Sequence, residues 1–417
     1  MPRFSIIVPT RERAQTLGPC LKTCLDEPYS DVEFVVHDNA STDGTKALVE
    51  GLNDPRIRYF RTPERVSMRL NFEAAVRQAR GDYLIMFGDD DGLIPGALER
   101  LDRATRAGDY DFIAWPTVDY LWPGVDPQRP GHVRLRRRNM FRPAMEVDLD
   151  ARRHDLFNAV PISYRETPKI YHGCISRGLI DRLLQYSDVL FQYDIPDVYA
   201  QIAFLVEARR GLSLGHVLTI NGASKNSNGT SAFGHAHKTI ERYDGTAYGV
   251  FMKETRTDLA SPIPYNPAII SIQYYTYVCL NILEHVLKRG LPINHDAWLK
   301  AVHESLVANP NFDSIARSAQ ALSAIDQKIL STLTEQSTQH MSAPSSGDPL
   351  KAASRKSRRS EHILATGSNT GDTVAEAAAV LKTIGDFSDR QEQLGWQASQ
   401  MLRWMRLIVA ERHRTIE

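Results

Sequence analysis

The chain has 417 residues, 42% of them hydrophobic and 24% charged, and its 50 Lys and Arg residues balance 50 Asp and Glu. That length allows roughly two or three domains and a large core, while zero formal net charge speaks against nucleic acid as a partner, because phosphate binding needs clustered excess cation. Of the four cysteines, Cys20 and Cys24 fall on one expected helix and Cys174 and Cys279 lie far apart. This is neither a disulfide framework nor a zinc spacing, so a reducing cytoplasm is expected. No apolar run is long and clean enough to span a bilayer, and a first strand starting at about Phe4 leaves no room for a signal peptide.

Taken in order, FSIIVP (Phe4 to Pro9) reads as a buried strand from its branched apolar run. Leu17, Leu21, Cys24 and Leu25 recur at helical spacing, and VEFVVH (Val32 to His37) is a second strand with Asp38 at its end. Ser41 or Thr42 caps a helix carrying Ala47, Leu48 and Leu52. Arg56 to Phe60 is a third strand; Met68, Phe72, Ala75, Val76 and Ala79 mark one face of the next helix, with Gly81 as its C′ residue. Tyr83 to Phe87 is a continuous apolar run, as in a strand covered on both faces. It stops at Gly88, and Asp89, Asp90 and Asp91 follow at once. Pro95 is expected at the first position of a helix running to about Ala107, and Asp111 to Trp115 is another strand. Strands alternating with helices imply a mostly parallel, doubly wound sheet.

Three adjacent acids at a strand end repel one another and sit more easily beside a divalent cation, for which hard oxygen ligands suit Mg²⁺ or Mn²⁺. Ligands of open α/β sheets bind outside the carboxyl ends of the strands, where this cluster falls. A solvated acidic turn is the other reading.

From Pro116 to about Pro168 the alternation breaks, and Arg134, Arg136, Arg137 and Arg138 make a basic stretch that faces either an anionic acceptor or solvent. Order returns with a strand from Lys169 to Ser176, a helix with Leu179, Leu183 and Leu184, a helix opened by Pro196, and a strand from Leu212 to Ile220. A polar loop with His235 and His237 follows. The segment after Pro262 is helical, Ser337 to Thr373 reads as a linker, and a last helix runs from Val374 to about Arg412. The expected units are therefore 1–115, 116–261, 262–336, 337–373 and 374–417. The last helix packs on the body of the protein or on a second copy, or lies on a membrane surface.

PTRERAQTL after the first strand, VVHDNASTDGT after the second and GDYLIMFGDDDGLIPGAL together resemble family 2 glycosyltransferases of the GT-A fold, over residues 3 to about 235. The resemblance implies an α/β GT-A domain with a mixed, mostly parallel sheet flanked by helices, here followed by an α-helical extension. It implies an inverting, metal-dependent hexosyltransferase (EC 2.4) that uses a UDP-sugar and acts on a glycan or lipid-linked acceptor in surface polysaccharide biosynthesis, in the cytoplasm or at the inner face of the membrane. Thr10, Arg11, Asp38, Arg65, Asn71, Asp89 and Asp90 are then donor-binding, with Asp38 at the uracil edge and Arg65 at the diphosphate. Asp90, Asp91 and His235 are the metal-ligand candidates for Mn²⁺ or Mg²⁺. Arg11-Glu12 stands where the family often has Tyr-Asn, and Gly88 takes the first position of the usual D-x-D-D string. Which acid meets the metal is thus open. For the general base the family places an acid before a helix in the second half of the domain, which Asp197 and Asp194 fit; an ordinary first-turn acid complementing the helix dipole is the alternative for Asp197. A nucleotidyltransferase is disfavoured because PTRERAQTL has no glycine before Gly18 to cradle a triphosphate. A non-catalytic carbohydrate-binding or scaffold protein is disfavoured by the intact acid cluster.

Overall fold

The computed structural model describes residues 1–126, 131–136, 143–225, 227, 250, 254, 262–263, 265, 271–308, 327, 361–365, 373–378 and 381. Phe4–Thr10 (β1) and Val32–Asp38 (β2) are buried along their whole length, as branched runs covered on both faces should be. Ala14–Leu25 (α1), Thr45–Gly51 (α2), Ile57–Arg61 (β3), Met68–Gln78 (α3) and Tyr83–Met86 (β4) complete the first alternating half. Gly92–Leu93 (β5), Ala97–Ala107 (α4), Phe112–Ala114 (β6), Val118–Leu121 (β7), His132–Arg136 (β8), Met145–Glu146 (β9) and Leu149–Phe157 (α5) follow. Next come Gly173–Ser176 (β10), Arg177–Leu184 (α6), Pro196–Glu207 (α7), Gly211–Ser213 (β11) and Thr219–Ala223 (β12). Ile272–Leu287 (α8), His295–Val307 (α9) and Glu361–Ala365 (β13) are the later elements.

The main sheet has the order β3-β2-β1-β4-β10-β6-β11-β9. Strands β1 to β4 are parallel, β10 is antiparallel to both its neighbours, β11 is parallel to β6, and β9 closes the edge in reverse. The mixed, mostly parallel sheet expected from the sequence is the one observed. On β1, Phe4, Ile6 and Val8 face α1, α2 and α4, while Ile7 faces the opposite layer built from α3 and α5 to α9. The register sets Thr10 beside Asp38, so the carboxyl ends of β1, β2 and β4 share one edge.

The stretch that breaks the alternation is partly ordered: β7 and β8 join β12, β5 and β13 in a second sheet. β13 lies inside the segment read as a linker and pairs antiparallel with β8, the basic strand that carries Arg134 and Arg136. Val374, Ala377, Ala378 and Leu381 pack on this sheet against Ile94, Tyr120 and Ile220. Helix α8 is buried against α7 and α9, with Tyr274, Val278 and Leu283 fully inside, which agrees with a packed rather than a spanning helix. Among the described residues no helix is long and apolar enough to cross a membrane.

Several boundaries move. Gly44, at φ 92°, precedes α2 instead of a Ser41 or Thr42 cap, because the Ser41 hydroxyl accepts from the Glu12 N–H and its own N–H donates to Asp38. Gly96, at φ 87°, starts α4 in place of Pro95; only glycine takes that turn without strain. The strand expected from Lys169 begins at Gly173, since His172 has φ 55° and breaks the extended run. The run from Leu212 to Ile220 divides between β11 in the main sheet and β12 in the second. His235, His237 and the basic pair Arg137 and Arg138 lie outside the described residues.

Gly222 on β12 binds the two sheets at the acidic turn. Its N–H donates to Asp91 Oδ1 at 2.6 Å, and a Cβ there would lie 1.8 Å from the Asp90 carbonyl oxygen. We expect Gly222→Ala to cost about 1–3 kcal/mol through overpacking, read as a lower urea midpoint with an unchanged m-value. An unshifted midpoint would mean that the turn yields freely.

Candidate active site

The turn Gly88–Asp91 is fixed from all sides. The Thr10 hydroxyl donates to Asp89 Oδ2 at 2.7 Å, and the Arg13 guanidinium lies 3.1 Å from Asp89 Oδ1 and 3.5 Å from Asp90 Oδ2. Asp90 Oδ2 also accepts from the Ser224 hydroxyl at 2.5 Å and N–H at 3.2 Å, and its carbonyl accepts from Trp122 Nε1 at 2.8 Å. Asp91 Oδ2 accepts from the Gly88 N–H at 2.5 Å and the Tyr171 hydroxyl at 3.0 Å, with His172 Nε2 at 3.2 Å. All three acids are buried, at 5%, 4% and 1% exposure, which rules out a solvated turn. Burial, then the charge of Asp91, pushes the Asp90 carboxyl up to about 7. Burial also raises Asp89, with Arg13 and Thr10 opposing it.

Asp38 is wholly buried, accepting from the Tyr59 hydroxyl at 2.6 Å and the Ser41 N–H at 3.0 Å, with Arg61 Nε at 3.5 Å. Asn71 is turned inward: its Oδ1 meets His37 Nδ1 at 2.8 Å and its amide donates to the His37 carbonyl. Arg11 and Arg65 are brought together by one carboxylate, Glu254. Asp194, 6% exposed, accepts from the Tyr265 hydroxyl. Asp197 stands in the first turn of α7, where burial raises its pKa and the nearby backbone N–H groups of Asp197 and Val198 oppose the rise. A row of rings, Phe191–Phe72–Tyr171, leads from the Asp194 segment to Asp91, with centroids 6.3 and 6.5 Å apart. The thiol of Cys279 on α8 is raised by burial, then by the charges of Asp197 and Asp194. The helical extension therefore backs both acids.

Among the described residues no cluster of three or more His, Cys, Asp or Glu side chains is arranged to hold a metal ion. The donor chemistry still suits a hard cation, because Mg²⁺ is commonly held by one or two carboxylates together with phosphate oxygens. Asp90 is the better placed acid: both oxygens of Asp91 are occupied by protein donors. Sequence reasoning passed over Arg13, although it stands in the same loop as Arg11. Ser224, Trp122 and Tyr171 reach the acids from distant segments and carry no local signal.

Residues 5–155 match the family model described as Glycosyl transferase family 2. This segment belongs to that family. It runs from β1 into α5, so Tyr171, Asp194, Asp197, Ser224 and Glu254 lie beyond the family 2 match. A GalNAc(5)-diNAcBac-PP-undecaprenol beta-1,3-glucosyltransferase of Campylobacter jejuni is 34% identical over 111 residues, 26% of this chain and 36% of that protein. Abequosyltransferase RfbV of Salmonella typhimurium is 36% identical over 101 residues, 23% of this chain and 30% of that protein. The chain thus spans about a third of the length of these two relatives. The crystal structure of S. aureus TarS 1-349 in complex with UDP-GlcNAc is similar at a TM-score of 0.45 and 17% identity, over 81% of this chain and 92% of that one.

Beside the family 2 segment, Lys169 is 4% exposed with Nζ 3.5 Å from the Trp115 carbonyl oxygen at the end of β6. Burial, then Arg165, lowers its pKa from 10.5 to about 7. Between those values the unfolded chain keeps a proton that the folded chain has released, so stability rises with pH across that window. Lys169→Met should remove this rise and stabilise the protein most below the folded pKa, read by thermal unfolding against pH. A slope that survives the substitution would contradict burial of the ammonium.

Proposed function

We propose that the chain is a glycosyltransferase that moves a sugar from a nucleotide sugar, a UDP-sugar, to a hydroxyl of a glycan or lipid-linked acceptor in surface polysaccharide assembly, with inversion at the anomeric carbon. The observation that carries this reading is the buried acid turn at the shared carboxyl edge of β1, β2 and β4, inside the family 2 segment. Both relatives described above are named as glycosyltransferases.

In this reading Asp38 recognises the base through an N–H at its edge. Because it is covered by Tyr59 and Arg61, binding has to move the Arg61 side chain, which is 39% exposed. Thr10 and Arg13 fix Asp89 toward the ribose, and Ser224 fixes Asp90. Asp90 would hold Mn²⁺ or Mg²⁺, which when bound supplies neutralisation of the departing diphosphate. Arg11 and Arg65 bind the diphosphate oxygens. Asp197 takes the proton of the acceptor hydroxyl as the new bond forms, and a single displacement with one base inverts the anomeric centre. Asp194, held by Tyr265, keeps the start of α7 in place. Burial raises the Asp197 pKa, making this carboxylate a stronger base than an exposed aspartate.

The experiment is calorimetric titration with UDP and GDP, paired with donor turnover. Wild type should prefer UDP by at least about tenfold, the worth of one charge-assisted hydrogen bond. Asp197→Asn should keep UDP affinity and lose transfer by about a hundredfold or more. Equal affinity for the two nucleotides would reject the uracil assignment, and full activity of Asp197→Asn would reject it as the base.

A further inference from the structure

Arg11 follows β1, and the loop carrying Arg65 is tied to the end of β2: Asn39 Nδ2 donates to the Val66 carbonyl at 2.7 Å, and Asn39 Oδ1 accepts from the Val66 N–H at 2.9 Å. The two guanidiniums thus stand at the ends of neighbouring strands. They converge on Glu254, with Arg11 Nη1 2.6 Å from Oε2 and Arg65 Nε 2.5 Å from Oε1. Glu254 comes 189 residues after Arg65 in the chain and lies beyond the family 2 segment. One carboxylate oxygen on each of two guanidiniums is the charge pattern that a diphosphate offers to the same pair.

We infer that Arg11 and Arg65 form an anion clamp for the donor diphosphate and that Glu254 is its resting occupant, a built-in competitor that the donor displaces. This rests on the nucleotide-sugar reading above. A carboxylate and a diphosphate cannot share the clamp, because like charges at contact distance repel. With side chains 24%, 50% and 20% exposed for Arg11, Arg65 and Glu254, water reaches the bridge and exchange is accessible. The competitor raises the threshold for weakly charged ligands: a nucleoside gains nothing at the clamp, whereas a diphosphate replaces a single carboxylate with two anionic groups.

The test is calorimetric titration of the full chain with UDP, inorganic pyrophosphate and uridine, on wild type, Glu254→Gln, Arg65→Ala and the double variant, each checked for fold by circular dichroism. Glu254→Gln removes the competing charge. It should bind UDP and pyrophosphate about threefold to tenfold tighter, the scale of partly exposed ion pairs, with uridine unchanged. In the Arg65→Ala background that gain should largely disappear, since the two sites are coupled. If wild type binds UDP and Glu254→Gln binds it equally or more weakly, the competitor role is overturned while the nucleotide reading stands. If neither protein binds UDP or pyrophosphate, the clamp and the nucleotide reading fail together.

Discussion

Asp91 accepts hydrogen bonds from the Gly88 N–H, the Gly222 N–H and the Tyr171 hydroxyl, and the shape of the site depends on this one buried carboxylate. A carboxylate at 1% exposure is costly unless its oxygens are satisfied. Here the satisfying groups come from the turn itself, from the second sheet and from the segment before β10. Asp91 thereby draws β12 onto the acid turn, and β12 brings Ser224 onto Asp90. Asp91, read from the sequence beside Asp90 as a metal-ligand candidate, is the acid whose two oxygens build the frame.

The two halves of the chain are joined by the same logic. The first supplies strand ends with Thr10, Arg13 and Asp38; the second supplies Ser224, Tyr171 and the acids at the start of α7. Helix α8 packs directly behind α7, close enough that the charges of Asp194 and Asp197 add to burial in raising the Cys279 thiol. A carboxylate held against apolar surroundings is a stronger base than a solvated one. The helical extension thus acts on the environment of α7 while standing outside the family 2 segment.

In the first half β1, β2 and β4 were legible because they are buried along their length, so they show as mainly apolar runs with acids or turn residues at their ends. The second half was not, and the reasons are local. The run from Leu212 to Ile220 is apolar throughout, and hydrophobicity does not say that its two ends pair in different sheets. His172 breaks its strand by a left-handed backbone angle that a histidine does not announce. Asp89, Asp90 and Asp91 stood out in the sequence by their position, whereas Ser224 meets Asp90 and Tyr171 meets Asp91 only through tertiary contacts across 134 and 80 residues. Asn71 resembled a donor residue by position, yet its amide is spent on His37.

The most direct measurement is thermal stabilisation by UDP with and without Mn²⁺, in wild type and in Asp90→Asn. In wild type we expect UDP and Mn²⁺ together to raise the midpoint beyond the sum of their separate effects, because anion and cation complete one site with Asp90. Asp90→Asn should fold as wild type and lose that joint increment. If Asp90→Asn keeps the full joint increment, the acid turn is not where the nucleotide and its cation are held.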